Sequence, residues 1–208
     1  MGEQAARALR AARTGSAEQI LNRVLKAHAT PRDLAAALRS VGPTDALVLW
    51  LRPQDLQALA TVPVTASRVW MSGEMGGLEQ APLPASWRVA TRMAYPVDLP
   101  GRRVVRVDYA LSWFRIRKIP LVAQQVQADT YLACGLVSET VNHMVDAFVR
   151  EYLVERLEMA LDHRALTGYY PRLTLAPGQR FASKGGYIVR FSDPQGPRVA
   201  ALGDWITP

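Results

Sequence analysis

Three polar side chains come directly after two apolar stretches of strand length, and these residues are the best placed to bind a small molecule. Arg52 follows ALVLWL, whereas Ser72 and Glu74 follow RVWM. In open parallel sheets, ligands bind just beyond the carboxyl ends of the strands. Glu74 belongs to the glycine-rich stretch SGEMGG. Its carboxylate could hold an ammonium group through charge-assisted hydrogen bonds, although a solvated loop glutamate is the simpler alternative.

Recognisable sequence patterns for catalysis are missing from the chain. It contains no HExxH, CxxC or GxSxG pattern, and SGEMGG has neither Walker nor dinucleotide-binding spacing. Cys134 is the only cysteine, so neither an internal disulfide nor a thiolate metal cluster can form. Its apolar neighbours predict that Cys134 is buried. We therefore expect a protein that is not an enzyme, with no catalytic residues, no metal site and no cofactor.

Helices and strands alternate in the first part of the chain, and these elements must position the three polar side chains. Thr30, followed by Pro31 and Asp33, is typical of a helix N-cap. The continuous apolar run in 45–51 is typical of a strand buried on both faces of a parallel sheet. The predicted elements are a helix at 3–13, a strand (or a helix) at 18–29, a helix at 31–41, a strand at 45–51, a helix at 53–61 and a strand at 67–73. This order predicts an α/β fold with a parallel, Rossmann-like sheet.

After residue 94 the alternation stops, and the turn-rich stretch 95–101 is the predicted boundary. Residues 101–120 carry six basic residues and one acidic residue, a local net charge of +5 out of +7 for the whole chain. The alternation in VVRVDYALSWFRI predicts a strand pair with one solvated face. The aromatic residues between these charges leave a nucleic-acid surface open as an alternative.

The last part of the chain combines a long helical pattern with a hairpin pattern. Between residues 128 and 163, apolar residues recur at i, i+3 and i+4, which predicts one long amphipathic helix or two. YIVRF and PRVAAL flank SDPQG, whose proline and glycine are typical of a turn, so a C-terminal hairpin is predicted.

The order of these stretches resembles the later portion of type 1 periplasmic solute-binding proteins, in particular the leucine/isoleucine/valine-binding receptors of ABC importers. The resemblance is carried by DALVLWLRPQDLQAL, VWMSGEMGG, YLACGLVSETVNHM and YYPRLTLAPGQRFASKGGYIVRF. It runs in matching order over nearly the whole chain. It implies two Rossmann-like lobes, joined by hinge strands, that close on a small ligand.

The resemblance also implies a division of the chain into four parts. These are a second-lobe α/β sheet without its first strand at 1–100, basic hinge or crossover strands at 101–127, helices of an incomplete first lobe at 128–168, and returning strands with a C-terminal hairpin at 169–208. The helices would normally pack on a first-lobe sheet. The apolar face at 128–163 is therefore expected to be exposed and to favour a homodimer or another partner.

The implied function is that of a receptor component, or a fragment of one, that binds an amino acid or a similar small polar solute. Glu74 occupies the place of an acid that holds the ligand's amino group, and Tyr131 lies near an aromatic contact. Arg52 departs from the family's small or aromatic residue and would favour an anionic group.

Partners and location follow from the same resemblance. The expected partners are the membrane subunits of an ABC importer, and the expected location is the periplasm, although no signal peptide pattern is visible in this sequence. The alternatives are a protein-interaction module that keeps the lobe fold without ligand binding, and a basic nucleic-acid-associated protein. Nucleic acid is not the expected partner.

Overall fold

A computed structural model describes residues 2–13, 15, 19–27, 29–145, 148–164, 167–175, 178 and 181–207. The chain divides into two compact units. The first unit comprises Met1–Tyr95 and Tyr187–Asp204, and the second comprises Pro96–Gly186 and Trp205–Pro208. The first unit holds a mixed sheet with helices, which confirms the predicted α/β class.

Helices and strands of the first unit follow one another along the chain much as predicted. They are α1 (Gly2–Ala12), α2 (Pro31–Leu38), β1 (Ala46–Leu49), α3 (Pro53–Gln57), β2 (Arg68–Ser72), α4 (Gly73–Gly76), α5 (Ala85–Ala90), β3 (Thr91–Tyr95), β4 (Tyr187–Phe191) and β5 (Val199–Ala201). Short 3₁₀ turns lie at Ala58–Thr61 and Leu78–Gln80. Within the described residues the sheet order is β1-β2-β3-β4-β5. β1, β2 and β3 run parallel, and the predicted hairpin of β4 and β5 adds two antiparallel strands.

Local sequence determines the start of α2, as predicted. The Thr30 hydroxyl accepts a hydrogen bond from the Asp33 backbone N–H at 3.3 Å, and the Asp33 carboxylate accepts one from the Thr30 N–H at 2.8 Å. Pro31 occupies the first turn, where its missing N–H removes no helical hydrogen bond. The hydrogen bonds from Thr30 lower the pKa of Asp33 below its usual value.

The core of the first unit packs helices and 3₁₀ turns against the sheet. Trp87 of α5 is 1% exposed, and its indole N–H donates to the Val62 carbonyl oxygen at 2.8 Å. The smaller core side chains are fully buried, namely Leu56, Leu59, Val69, Met93 and Val189. An indole that is both buried and hydrogen-bonded fixes α5 against the turn that precedes β2.

Two strand predictions in the first unit are wrong. β1 lies at an edge of the described sheet and only Leu49 in it is buried, whereas its apolar run predicted a strand covered on both faces. The described residues of the predicted strand at 18–29, which are 19–27 and 29, belong to neither a strand nor a helix. A strand forms only where a neighbour satisfies its backbone groups, and the apolar pattern does not report whether that neighbour is present.

Three helices make up the regular structure of the second unit within its described residues: α6 (Pro100–Ile116), α7 (Gln124–Asn142) and α8 (Arg150–Asp162). The strands predicted at 101–127 are therefore wrong, because α6 covers most of that segment. Its buried and half-buried residues Val107, Ala110, Leu111 and Phe114 fit helical spacing, and Pro100 begins the helix. The helical pattern at 128–163 corresponds to α7 and α8. Leu136 of α7, Leu161 of α8 and Leu173 pack into one apolar cluster.

Cys134 of α7 is exposed, which corrects the prediction that it is buried. On a helix, sequence neighbours point in different directions, so the apolar residues that flank Cys134 do not cover it. None of the described helices combines the length and the apolar character needed to span a bilayer.

Arg106 of α6 forms hydrogen bonds with residues 167–171. The Arg106 guanidinium donates to Thr167 Oγ1 at 3.0 Å and to the carbonyl oxygens of Tyr170 at 2.9 Å and Pro171 at 2.8 Å. It also lies 3.5 Å from the carboxylate of Asp98, which is fully buried. The other carboxylate oxygen of Asp98 accepts a hydrogen bond from the Leu99 N–H at 2.9 Å. The buried charge therefore has both an ionic and a hydrogen-bonding partner.

Candidate functional site

Parallel strands bring the predicted binding residues of the first unit to one edge of the sheet. β1 and β2 run in the same direction with Leu49 opposite Met71, and Ser72 of β2 lies opposite Ala94 of β3. Arg52 comes three residues after the end of β1, and Glu74 comes two residues after the end of β2. Ser72 therefore ends β2, and Arg52 and Glu74 follow the carboxyl ends of the adjacent strands β1 and β2, where ligands of α/β sheets bind.

Ser72 caps the short helix that carries Glu74. Its hydroxyl accepts a hydrogen bond from the Met75 backbone N–H at 3.3 Å, and a hydroxyl that accepts can still donate its own hydrogen. Glu74 lies in the first turn of α4 and is exposed. The stretch is thus a capped turn of helix that presents one carboxylate to solvent.

The glycines of SGEMGG are explained by packing and turn geometry. A β-carbon on Gly73 would lie 2.7 Å from the Ala94 carbonyl oxygen, and one on Gly76 would lie 3.0 Å from the Met71 sulfur. Gly77 ends α4 in the left-handed conformation, with φ of 95°. These glycines let α4 lie close against β2 and β3, so they need no ligand to account for them.

Arg52 is already paired with a neighbouring carboxylate. Its guanidinium donates to both carboxylate oxygens of Asp55, at 2.9 and 3.3 Å. The hydrogen bond to Asp55 raises the pKa of Arg52 above its usual value. An anionic ligand would have to compete with Asp55 for this guanidinium, which favours Glu74 over Arg52 as the charge that selects a ligand.

Tyr131 belongs to the second unit and lies in an aromatic cluster. Its ring centroid is 5.7 Å from that of Tyr109, 5.5 Å from that of Trp113 and 6.3 Å from that of Phe114. The hydrogen bond with Tyr109 raises the pKa of Tyr131 above its usual value. Sequence reasoning singled out Tyr131 but did not predict its ring partners on α6.

A cavity that the sequence did not predict opens between α7 and α8. It has a volume of about 240 Å³, and its lining includes His143, His163 and Arg156. Each imidazole has its Nδ1 within hydrogen-bond distance of a carbonyl oxygen one helical turn earlier, 2.7 Å for His143 and 2.9 Å for His163. Since a carbonyl only accepts, Nδ1 carries the hydrogen in both rings. No group of three or more potential metal ligands occurs in the described part of the chain.

Basic residues of α6 and the turn after it are largely engaged within the chain. Arg106 has the partners described above, Arg115 pairs with Asp108 at 2.5 Å, and the Arg117 guanidinium lies 5.8 Å from the Trp113 ring centroid. Arg103 stacks on Tyr169 at 5.2 Å. These contacts leave fewer cations for a phosphate backbone than the local charge of +5 suggests.

Comparison with known proteins shows which solved structures have a similar fold. No family model and no curated protein matches the sequence. The structure is similar to a crystal structure of an ABC transporter substrate-binding protein from Aeropyrum pernix, with a TM-score of 0.58 and 16% sequence identity. The match covers 88% of this chain and 50% of that one. A fatty acid ABC transporter substrate-binding protein from Thermomonospora curvata gives a TM-score of 0.48 at 15% identity, and the match covers 86% of this chain and 47% of that one. A TM-score this low supports no argument about this chain. The chain is thus similar in fold to the first of these proteins, over about half of that protein's length.

Proposed function

We propose that the chain is a solute-binding component, or part of one, of an ABC importer and that it binds a small solute with an ammonium group. The observation that carries this proposal is the exposed carboxylate of Glu74, presented at the carboxyl edge of the parallel strands in a fold similar to that of a substrate-binding protein. A ligand position beyond parallel strand ends is the general expectation for this architecture.

In the proposed mechanism, binding is reversible and no bond is made or broken. Glu74 accepts hydrogen bonds from the ammonium group, and the Ser72 hydroxyl, fixed by Met75, donates to a polar atom of the solute. For Tyr131, an aromatic contact with the solute stays a prediction. Closure of a two-lobed receptor around the solute would create the form recognised by the importer's membrane subunits in the periplasm.

Replacing Glu74 by glutamine is expected to weaken binding of an ammonium-bearing solute. Because the carboxylate is exposed in this chain, the expected loss is about 1 kcal/mol, or roughly fivefold in Kd. In a closed receptor that excludes water, the loss would rise to about 1.5–3 kcal/mol. Titration calorimetry of wild type and Glu74→Gln measures the difference. Asp204→Asn, which neutralises another exposed carboxylate of the first unit, is the matched control. Equal affinities for wild type and Glu74→Gln would contradict the assignment of Glu74.

A second proposal concerns the exposed apolar side chains of α7 and the segment after it. Val137 and Val141 of α7 are exposed, and beyond the end of the helix Val145 is 80% exposed and Phe148 is 71% exposed. Exposed apolar side chains that lie near one another along the chain are typical of a protein interface. This observation favours a homodimer through residues 128–163.

Changing Val145 to aspartate is expected to weaken such a dimer at least about tenfold, because the interface would then bury an unpaired charge. Analytical ultracentrifugation over a range of concentrations measures the dissociation constant of each variant. Val104→Asp, on an exposed position of α6, controls for added charge. A wild-type chain that stays monomeric at all concentrations would contradict the dimer.

A further inference from the structure

The two faces of the sheet in the first unit differ in exposure. On one face, Met71 of β2, Met93 of β3 and Val189 of β4 are at most 2% exposed. Successive residues of a strand point to opposite faces, so their neighbours along the strands belong to the other face. On that face, Arg92 of β3 and Arg190 of β4 are exposed. We call it the open face of the sheet, and its side chains are accessible to a ligand.

Two arginines lie directly opposite each other on the open face. Arg92 and Arg190 are register partners in the antiparallel pair of β3 and β4. The β-carbons of residues in such positions lie about 4.5–5.5 Å apart. Like charges directly opposite each other on neighbouring strands destabilise a sheet. An anion bound between the two guanidinium groups would remove this repulsion.

Neighbouring side chains do not neutralise these two charges. Among the residues that the structure describes, no carboxylate pairs with Arg92 or Arg190. The register places four uncharged side chains around the pair on the open face, namely Trp70, Ala94, Ile188 and Ala200. Arg68, two residues before Trp70 on β2, is exposed on the same face and adds a third positive charge. This part of the open face is therefore positively charged.

Trp70 holds one of the two guanidinium groups in place. Trp70 of β2 lies opposite Arg92 in the parallel register, and the guanidinium carbon of Arg92 is 5.7 Å from the centroid of the Trp70 ring. A cation–π contact of this kind restricts the side chain but does not use the N–H groups as hydrogen-bond donors. Because the group is ordered before a ligand binds, less conformational entropy is lost on binding.

We propose that Arg92 and Arg190 bind a phosphate group on the open face of the sheet. A guanidinium group donates two parallel hydrogen bonds to a phosphate or a carboxylate. A phosphate monoester carries a charge of about −1.5 to −2 at pH 7 and has three acceptor oxygens. It can therefore accept from both arginines, whereas a carboxylate has one charge and two oxygens. The site does not include Glu74 and does not depend on the proposed solute.

A titration of the full chain with inorganic phosphate tests this proposal. The backbone amides of residues 92 and 190 are followed by nuclear magnetic resonance, with chloride at equal ionic strength as the reference. Phosphate, but not chloride, is expected to shift both amides. Arg92→Met and Arg190→Met are each expected to weaken phosphate binding about fivefold, because each removes one of two exposed ionic contacts. Arg32→Met, which removes an exposed arginine of α2, is the matched control and is expected to leave the affinity unchanged.

Melting temperatures provide a second measurement. Phosphate stabilises many folded proteins because it is excluded from their surface, so the gain in phosphate over chloride is compared between variants. Wild type and Arg32→Met are expected to gain about 2–4 °C more than the double variant Arg92→Met with Arg190→Met. Equal gains in all three proteins, or equal shifts of residues 92 and 190 with chloride and with phosphate, would overturn the proposal.

Adenosine monophosphate distinguishes two sources of the phosphate group. Tighter binding of this monoester than of inorganic phosphate would assign the site to an organic phosphate. Equal or weaker binding would assign it to the free ion. In both cases the proposal requires that the affinity falls in Arg92→Met and in Arg190→Met but not in Arg32→Met.

Discussion

Replacement of Trp87 by alanine is expected to lower the free energy of unfolding of the first unit by about 3–5 kcal/mol. Trp87 is 1% exposed, and its indole N–H donates to the Val62 carbonyl oxygen at 2.8 Å. The substitution leaves a cavity and removes the donor from a carbonyl oxygen in the turn before β2. Most of the expected loss comes from lost packing, because a neutral hydrogen bond contributes only about 1 kcal/mol.

Urea denaturation combined with residue-resolved hydrogen exchange measures this loss in β2 and β3, which belong to the same unit. Val89→Ala is the control, since Val89 lies on the same helix and is 73% exposed. It is expected to change stability by less than about 0.5 kcal/mol. A loss below about 1 kcal/mol for Trp87→Ala would show that Trp87 does not anchor α5.

Replacement of Arg106 by methionine is expected to destabilise the second unit by about 3–5 kcal/mol. Methionine keeps much of the apolar stem but removes the charge opposite the fully buried Asp98 carboxylate, 3.5 Å away. It also removes the donor from Thr167 Oγ1 and from two carbonyl oxygens. A buried carboxylate without its ionic partner is the main cost, because water cannot solvate it.

The double variant Arg106→Met with Asp98→Asn separates charge from packing. Asparagine carries no charge, so the double variant is expected to recover part of the loss caused by Arg106→Met alone. Hydrogen exchange in α6 and α7 provides the measurement. A double variant whose total loss of stability, relative to wild type, equals the sum of the losses of Arg106→Met and Asp98→Asn would contradict the ion pair as the source of stability.

Local signals in the sequence predicted those parts of the fold that depend on neighbouring residues. The cap formed by Thr30 and Asp33 and the hairpin of β4 and β5 are examples, because their hydrogen bonds join residues close in the chain. The segment that became α6 was mispredicted because VVRVDYALSWFRI fits both a period of two and a period of 3.6 residues. The edge position of β1 was missed because strand order depends on distant pairing.

The candidate site likewise has parts that the sequence predicts and parts that it does not. Ser72 and Glu74 could be chosen from sequence because a strand, a cap and a helical turn are contiguous there. The pairing of Arg52 with Asp55 is also local, because the two residues lie three apart in the chain, but it was not predicted. The ring partners of Tyr131 and the cavity shared by His143 and His163 depend on helix packing, so no local signal indicates them.

The most direct test of the proposed solute-binding function is a nuclear magnetic resonance titration of the wild-type chain. Each common amino acid is compared with the acid of the same carbon skeleton that lacks the amino group. Each compound is added up to a concentration of about 10 mM, at which a binding free energy of about 4 kcal/mol is detectable. The account predicts that at least one amino acid shifts the backbone amides of residues 72–76 and that its deaminated analogue does not. No shift with any amino acid, or equal shifts with both members of a pair, would contradict recognition of an ammonium group at Glu74.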